Sequence, residues 1–140
     1  MTRADWQEIA EEKLLAVPAL LSAGNWPSAY YLAGYAVESG LKACIIAFVA
    51  TNPEVIFLDK RFSERCWTHG IEELVKLARL DTARDNDYAA NPTLMKNWLT
   101  VANWDEKSRY QMKKQIEAEG LYNAIADNAN GVMQWIKARW

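Results

Sequence analysis

The chain has 140 residues, of which 51% are hydrophobic and 24% are charged, and this composition is typical of one globular domain covering residues 1–140. The formal net charge of -2 excludes a protein that coats nucleic acid through bulk positive charge, but it leaves room for a local basic patch. A chain of this length buries roughly two thirds of the surface that its unfolded form exposes, so stability requires no disulfide or metal.

The cysteine and histidine content argues against a zinc site. Zinc sites need about three or four closely spaced ligands, and here only Cys66 and His69 form a close pair, with Cys44 far away. We therefore expect no metal and no cofactor. The charged N-terminal segment does not resemble a signal peptide, and the longest apolar run, residues 43–50, is far shorter than the roughly 20 residues that span a bilayer. We expect reduced thiols, a cytoplasmic location and no membrane segment.

The first predicted helix covers residues 4–23. Pro18 lies inside it and predicts a kink or a break, because proline lacks the amide that continues the helical hydrogen bonds. Gly24 fits the position that ends a helix. The inward face is formed by apolar residues at helical spacing, namely Leu14, Val17, Leu20 and Leu21.

The second predicted helix runs from Trp26 to residue 51. Asn25 is expected to cap it, because its side-chain oxygen can accept hydrogen bonds from the first-turn amides, and Pro27 fits that first turn. Glu38 and Lys42 are four residues apart, which predicts an ion pair on the helix surface. Small residues at helical spacing predict a stripe on which another helix packs closely, namely Ala29, Ala33, Ala36 and Gly40.

Residues 53–67 predict a long connection with a short helical turn. Thr68 is expected to cap a third helix that ends near Leu80. His69 follows this cap directly, so its imidazole is expected at the helix N-terminus, facing either an anion or the seam between helices. The alternative is a purely structural histidine. The connection carries three basic residues, namely Lys60, Arg61 and Arg65.

The second half of the chain predicts two further helices. The polar residues 81–91 predict a connection that ends in Asn91 and Pro92, a cap and first-turn pair. They open a short fourth helix that contains the apolar residues Leu94, Met95, Trp98, Leu99 and Val101. After a charged turn, residues 111–140 predict one long closing helix, with an inward face of Ala118, Leu121, Ile125, Ala129, Val132 and Trp135.

No segment alternates between apolar and polar residues as a strand does. The predicted fold class is therefore all-α, with an antiparallel up-and-down bundle of four to five helices. The single histidine has no accompanying nucleophile motif, which argues against a catalytic triad. The dispersed glycines form no phosphate-binding loop. Neighbouring carboxylates are interpreted as solvated helix faces, namely Glu11 with Glu12, Glu72 with Glu73, and Glu117 with Glu119.

Basic and aromatic residues gather before the predicted closing helix. Cations beside exposed aromatic rings suit phosphate contact and base stacking, the two requirements for holding a nucleotide or single-stranded RNA. The alternative is a solvated helix start. Trp104 is interpreted as the ring that stacks on a ligand, whereas Trp26 and Trp98 are interpreted as packing residues. The cluster contains Trp104, Lys107, Arg109, Tyr110, Lys113 and Lys114.

Three segments resemble landmarks of the HEPN family, the higher eukaryotes and prokaryotes nucleotide-binding domain. The segment THGIEEL, residues 68–74, is similar to the family's threonine-histidine start of a helix, and SRY, residues 108–110, resembles its turn before the last helix. The second helix is similar to the family's alanine-rich signature, which is represented here by Ala29, Tyr31, Ala33, Ala36, Glu38, Leu41, Lys42 and Ala43.

The resemblance implies a four- or five-helix bundle that commonly dimerises, is often encoded beside a minimal nucleotidyltransferase, and acts in toxin-antitoxin or defence systems. Many members are metal-independent ribonucleases, in which an arginine stabilises phosphate charge and a histidine, separated from it by four to six intervening residues, moves a proton. This sequence departs from that motif. Arg65 precedes His69 with three intervening residues, Arg61 precedes it with seven, and no histidine follows Arg109.

Three functional hypotheses follow. The first is a HEPN-like module without the usual ribonuclease motif, which binds a nucleotide, an RNA end or a partner nucleotidyltransferase. Its expected ligand-binding residues are Lys42, His69, Trp104, Arg109 and Tyr110. The second is a divergent metal-independent ribonuclease that uses His69 together with Arg65 or Arg109. The third is a structural dimerisation or scaffold module.

Overall fold

The computed structural model describes residues 1–140 and consists of nine α-helices and one 3-10 helix, with no strand. The all-α prediction is therefore confirmed. The helices are α1 (Arg3–Ser22), α2 (Trp26–Thr51), α3 (Val55–Leu58), α4 (Phe62–Arg65), α5 (Ile71–Leu77), α6 (Asp81–Ala90), α7 (Pro92–Ala102), the 3-10 helix (Glu106–Tyr110), α8 (Gln115–Ala126) and α9 (Val132–Lys137).

Helix α1 begins at a capping box and continues through its proline. The Thr2 hydroxyl accepts from the Asp5 amide, and the Asp5 carboxylate accepts from the Thr2 amide. Pro18 does not break the helix, and it lies on the exposed side of α1. Gly24 lies in the short link between α1 and α2 and has a φ of 74°, a backbone conformation that glycine adopts readily. The two helices pack against each other.

Helix α2 is the central element and contacts α1, α5, α8, α9 and the 3-10 helix. Its predicted bounds are confirmed, although the Asn25 side chain makes no capping hydrogen bond. The predicted stripe of small residues is buried, and a methyl group added at Gly40 would meet Ile136 of α9 at 2.9 Å. Close helix packing here is confirmed.

Helix α2 is also long and apolar enough, by length and composition, to pass as a membrane-crossing helix. The expectation of no such segment counted only uninterrupted apolar residues, and Glu38 and Lys42 interrupt the run. In the structure 67% of the most apolar window of α2 is buried inside the protein.

The third helix starts later than the sequence predicts. Its N-cap is Gly70, and the Thr68 hydroxyl accepts from the Gly70 amide at 3.1 Å instead of capping the helix itself. The prediction of Thr68 as the cap is therefore wrong. His69 therefore lies in the loop before α5 and not in the first turn of the helix.

Residues 81–91 contain helix α6, which the sequence analysis assigned to a connection. The polar pattern concealed one inward residue, Arg84, whose side chain is 7% exposed. Arg84 donates two hydrogen bonds to Glu72 and lies over the rings of Tyr88 and Trp98, at 5.3 and 5.4 Å from their centroids. An arginine thus supplies the buried face that an apolar residue usually supplies.

The predicted closing helix is two helices, α8 and α9, separated by a turn. The Asp127 carboxylate accepts from the Asn130 amide at 2.7 Å, and a side chain at Gly131 would overlap the backbone carbonyls of Asp127 and Ile125. Ala129, expected inside, is exposed in this turn. In α7, Met95 and Leu99 are exposed, whereas Trp98 is buried edge-on to Trp135 as predicted for a packing residue.

The buried apolar side chains form one cluster of 28 residues to which α1, α2, α5, α7, α8 and α9 all contribute. Asn91 caps α7 as predicted, accepting from the Leu94 amide at 3.1 Å. The connection of residues 53–67 contains two short helices, α3 and α4, where one turn was predicted.

Candidate functional site

A buried ion pair lies in the middle of α2. Lys42 Nζ donates to Glu38 Oε1 at 2.9 Å, as the spacing predicted, but the pair is not on the surface. The Glu38 side chain is 1% exposed and that of Lys42 is 11% exposed. The prediction of a surface pair is therefore wrong, because α5, the loop before it and the 3-10 helix cover this part of α2. Buried charges require partners, so this pair constrains its surroundings.

His69 joins this pair to the 3-10 helix. Its Nδ1 lies 2.9 Å from Glu38 Oε1, and its Nε2 lies 3.2 Å from Glu106 Oε2. The imidazole is thus held between a buried carboxylate and a half-exposed one. Two donors are present only in the imidazolium form, and a neutral ring donates to one glutamate only. Either form joins α2, the loop before α5 and the 3-10 helix.

Glu38 has unused hydrogen-bonding capacity. Its Oε1 serves both Lys42 and His69, whereas its Oε2 is buried without a hydrogen-bond partner. A buried carboxylate oxygen without a donor is uncommon in folded proteins and has a considerable cost.

Polar side chains continue along α2 from Glu38 toward its N-terminus. Tyr31, Tyr35, Glu38 and Lys42 follow one another at spacings of four, three and four, so they share one helix face. The rings of Tyr31 and Tyr35 stack with centroids 6.0 Å apart. Burial, followed by the negative charge of Glu38, raises the pKa of Tyr35, so its hydroxyl remains a neutral donor. We call these four residues the α2 polar strip.

Arg109 lies at the tyrosine end of the α2 polar strip. Its guanidinium is 4.7 Å from the ring centroid of Tyr110, and the neighbouring hydroxyls of Tyr110 and then Tyr31 raise its pKa. Arg109 forms no ion pair with a carboxylate, and Tyr110 is 78% exposed. An accessible cation on an aromatic ring can bind an anion and stack on a planar group.

The basic residues around Arg109 face different neighbours. Lys113 lies over the ring of Tyr30 at 4.4 Å, next to Tyr31 in α2. The Lys114 amide donates to the Glu117 carboxylate at 2.8 Å, which caps the start of α8. Lys107 is exposed, and its amide donates to Asp105 at 2.7 Å. The structure therefore brings Arg109 and Lys113 against the tyrosines of α2.

Trp104 is buried, contrary to the expectation of an exposed stacking ring. It is 3% exposed and packs against Gly34 of α2, where any side chain would overlap the indole. Its ring centroid lies 6.2 Å from that of Tyr31, so the indole packs beside the tyrosine end of the α2 polar strip. The charged neighbours of Trp104 in sequence suggested exposure, whereas the complementary cavity at Gly34 is visible only in the fold.

Four of the five predicted site residues lie beside the α2 polar strip, two at each of its ends. Lys42 and His69 meet at Glu38, and Arg109 and Tyr110 belong to the 3-10 helix whose Glu106 holds His69. The ammonium of Lys42 points to Glu38, so it orients the carboxylate. Tyr35 and Glu106 were not predicted from the sequence as site residues, and neither was the contact between Glu38 and His69. Only the helical spacing of Tyr31, Tyr35 and Glu38 could have indicated one shared face.

The arrangement is not that of a metal site. No three His, Cys, Asp or Glu side chains come together as a group that could hold a metal ion. His69 lies between its two glutamates, and each ring nitrogen already faces a carboxylate oxygen. The chemistry available to these residues is therefore hydrogen bonding, anion binding and proton transfer.

Comparisons with protein-family models, with curated proteins and with solved structures found no match to this chain.

Proposed function

We propose that this chain is a HEPN-like domain, an antiparallel bundle of four to five main helices, that binds a nucleotide or an RNA end. One observation carries the proposal. The three segments that resemble HEPN landmarks are far apart in sequence, yet Glu38 contacts His69, and His69 contacts Glu106 in the 3-10 helix that carries Arg109. Convergence of three weak sequence signals on one surface is the pattern expected of a shared site.

In this proposal Arg109 binds phosphate and the exposed ring of Tyr110 stacks on a base. Tyr31 and Lys113 border the same surface, and His69 contacts the ligand on the side of Glu106. Lys42 and Trp104 act indirectly, Lys42 by orienting Glu38 and Trp104 by supporting Tyr31. The absence of an ion pair at Arg109 supports this assignment, because its charge is not already neutralised.

Titration calorimetry with ATP, GTP and a short single-stranded RNA tests the proposal. We expect one of them to bind, and we expect Arg109→Ala and Tyr110→Ala each to weaken binding by about tenfold, the loss of one charge-assisted or stacking contact. Arg3→Ala is the matched control, since Arg3 is exposed in the first turn of α1. Silence from all three ligands, or equal affinity of wild type and Arg109→Ala, contradicts the proposal.

A second candidate function is divergent, metal-independent RNA cleavage, and the geometry around His69 favours it. The buried carboxylate of Glu38 fixes Nδ1, and Nε2 faces the half-exposed Glu106. A carboxylate behind a histidine orients the ring for general acid and base work. Cleavage of RNA by the purified protein that disappears in His69→Ala would support this function, and lack of cleavage in wild type excludes it.

A third candidate, a dimerisation or scaffold role, has support from exposed apolar residues after Arg109. Tyr110, Met112 and Ile116 are 78%, 88% and 78% exposed within seven residues, a surface that a second copy or a partner nucleotidyltransferase would cover. We place such a homodimer or complex in the cytoplasm, within a toxin-antitoxin or defence system. Light scattering of wild type and Met112→Glu tests it: a dimer that the substitution dissociates supports this role, and a wild-type monomer contradicts self-association.

A further inference from the structure

An apolar groove begins at the Lys42 end of the α2 polar strip, between the start of α1, the second half of α2 and the segment of α3 and α4. It encloses about 460 Å³, and nine of its eleven lining residues are hydrophobic. Its walls include Trp6, Ile46, Val49, Phe62 and Trp67. Volumes of roughly 300 to 1,000 Å³ with a mainly apolar lining and a few polar groups are typical of small-molecule sites.

Lys42 carries the only charged side chain that lines this groove. One donor of its ammonium group is used by Glu38, at 2.9 Å, and the ammonium lies 5.0 Å from the centroid of the Trp6 ring. An ammonium group has three donors, so a further donor remains for an acceptor in the groove. Since the Lys42 side chain is 11% exposed, such an acceptor would be almost completely removed from water.

The contact with Lys42 decides the head group, because the other charges near the groove are balanced. The segment that contributes Ile56 and Phe62 carries Lys60 and Arg61, but it also carries Glu54 and Glu64, and Arg65 is paired with Asp59. Glu38 Oε1 is shared between Lys42 and His69, and the ammonium retains donors for a second acceptor. A monoanion suits one recessed ammonium. A polyphosphate would bring several negative charges into an apolar lining, which costs more than one ammonium can offset.

We propose that this groove binds a small monocarboxylate with an apolar body, with the carboxylate at Lys42 and the apolar part between Trp6, Ile46 and Trp67. The groove lies at the Lys42 end of the α2 polar strip, and Arg109 lies at the Tyr31 end. Burial of the apolar body supplies most of the affinity, and the contact with Lys42 makes a carboxylate bind more tightly than a neutral head group.

Displacement of 11-(dansylamino)undecanoic acid by decanoate and by decanol tests the site, because the two competitors differ only in the head group. We expect decanoate to displace the probe at a concentration about tenfold lower than decanol, since a charge-assisted hydrogen bond is lost with the alcohol. Ile46→Trp, which fills the groove, should abolish binding of the probe. Ile116→Trp is the matched control, because Ile116 is exposed on α8 and outside the groove.

A second variant addresses the head group directly. Lys42→Met should bring the affinity for decanoate down to that for decanol and leave decanol unchanged, with circular dichroism to verify the fold. If this variant does not fold, displacement by decanoate and by decanol from the wild-type protein still shows whether the groove prefers a carboxylate. Equal displacement by acid and alcohol, binding that survives Ile46→Trp, or no binding overturns the proposal. It is also overturned if the groove proves to be covered by a second copy, seen as a dimer that Ile46→Trp dissociates.

Discussion

Glu38, in the middle of α2, lies 2.9 Å from His69, which is 31 residues further along the chain. This contact fixes the loop before α5 on the central helix, and through Glu106 it also fixes the 3-10 helix that carries Arg109 and Tyr110. A single buried carboxylate thus determines the relative position of most residues in the candidate site.

Removal of the Glu38 carboxylate should destabilise the fold strongly. Glu38→Ala leaves the Lys42 ammonium buried without its partner and should lower the free energy of unfolding by about 3 kcal/mol, at the lower end for such pairs because Lys42 borders a groove that water can enter. Urea denaturation followed by circular dichroism measures the change.

The control for this experiment is Glu12→Ala, because Glu12 is 71% exposed and lies 3.8 Å from Lys13. Its effect should stay within about 0.5 kcal/mol of wild type. The double variant Glu38→Leu with Lys42→Met should recover part of the lost stability, since it removes both charges together. If Glu38→Ala were as stable as Glu12→Ala, the buried pair would not hold the site.

Two glycines in helices should respond in opposite directions to alanine. A methyl group at Gly34 overlaps the Trp104 indole, so Gly34→Ala should destabilise the protein by about 1 to 3 kcal/mol through overpacking. Gly120 in α8 has nothing within 4 Å of an added methyl group, so Gly120→Ala should stabilise it by about 0.5 to 1 kcal/mol. Thermal denaturation of both variants measures this. Equal effects of the two would contradict the described packing of Trp104.

Arg84 should not tolerate replacement by lysine. Its guanidinium donates two hydrogen bonds to Glu72 and lies over Tyr88 and Trp98, and an ammonium group can reproduce neither the paired donors nor the planar contact. We expect Arg84→Lys to cost about 1 to 3 kcal/mol in urea denaturation, and Arg3→Lys on the exposed first turn of α1 to cost less than about 0.5 kcal/mol. A neutral Arg84→Lys would mean that charge alone holds α6.

The two thiols should differ in reactivity. Burial raises the pKa of Cys44 to about 12 and raises that of the half-buried Cys66 less. Because the thiolate is the reactive form and a raised pKa removes it at neutral pH, iodoacetamide at pH 8 should modify Cys66 first, and Cys44 only after unfolding in urea. Mass spectrometry of the tryptic peptides identifies the modified residue. Prior modification of native Cys44 would contradict its burial.

Local signals in the chain were sufficient for α2 and for the start of α7. The bounds of α2 follow from Gly24, Pro27 and Pro53, and the α7 cap follows from Asn91, because turns and caps depend on neighbouring residues. Local signals did not predict helix α6. There the inward residue is Arg84, which an apolar pattern does not detect, and its burial depends on Glu72 in a different helix.

The site was predicted in composition but not in geometry. Lys42, His69, Arg109 and Tyr110 could be selected as polar residues in recognisable segments. Their common neighbour Glu38 was interpreted as a surface residue, because its partner at four residues is visible in the sequence and its partner His69 is not. Trp104 was expected to be exposed, because its contact with Gly34 is also not visible in the sequence. The space at Gly34 that receives the indole forms only when the 3-10 helix packs on α2.

The sequence by itself determined an all-α chain with one long central helix, because helix periodicity, caps and small-residue stripes act over a few residues. Only the tertiary structure decided that Glu38 and Lys42 are buried, that His69 joins two glutamates, and that the closing segment is divided at Gly131. Each of these depends on atoms from segments that are distant along the chain, and their cost or gain arises when packing removes water from them.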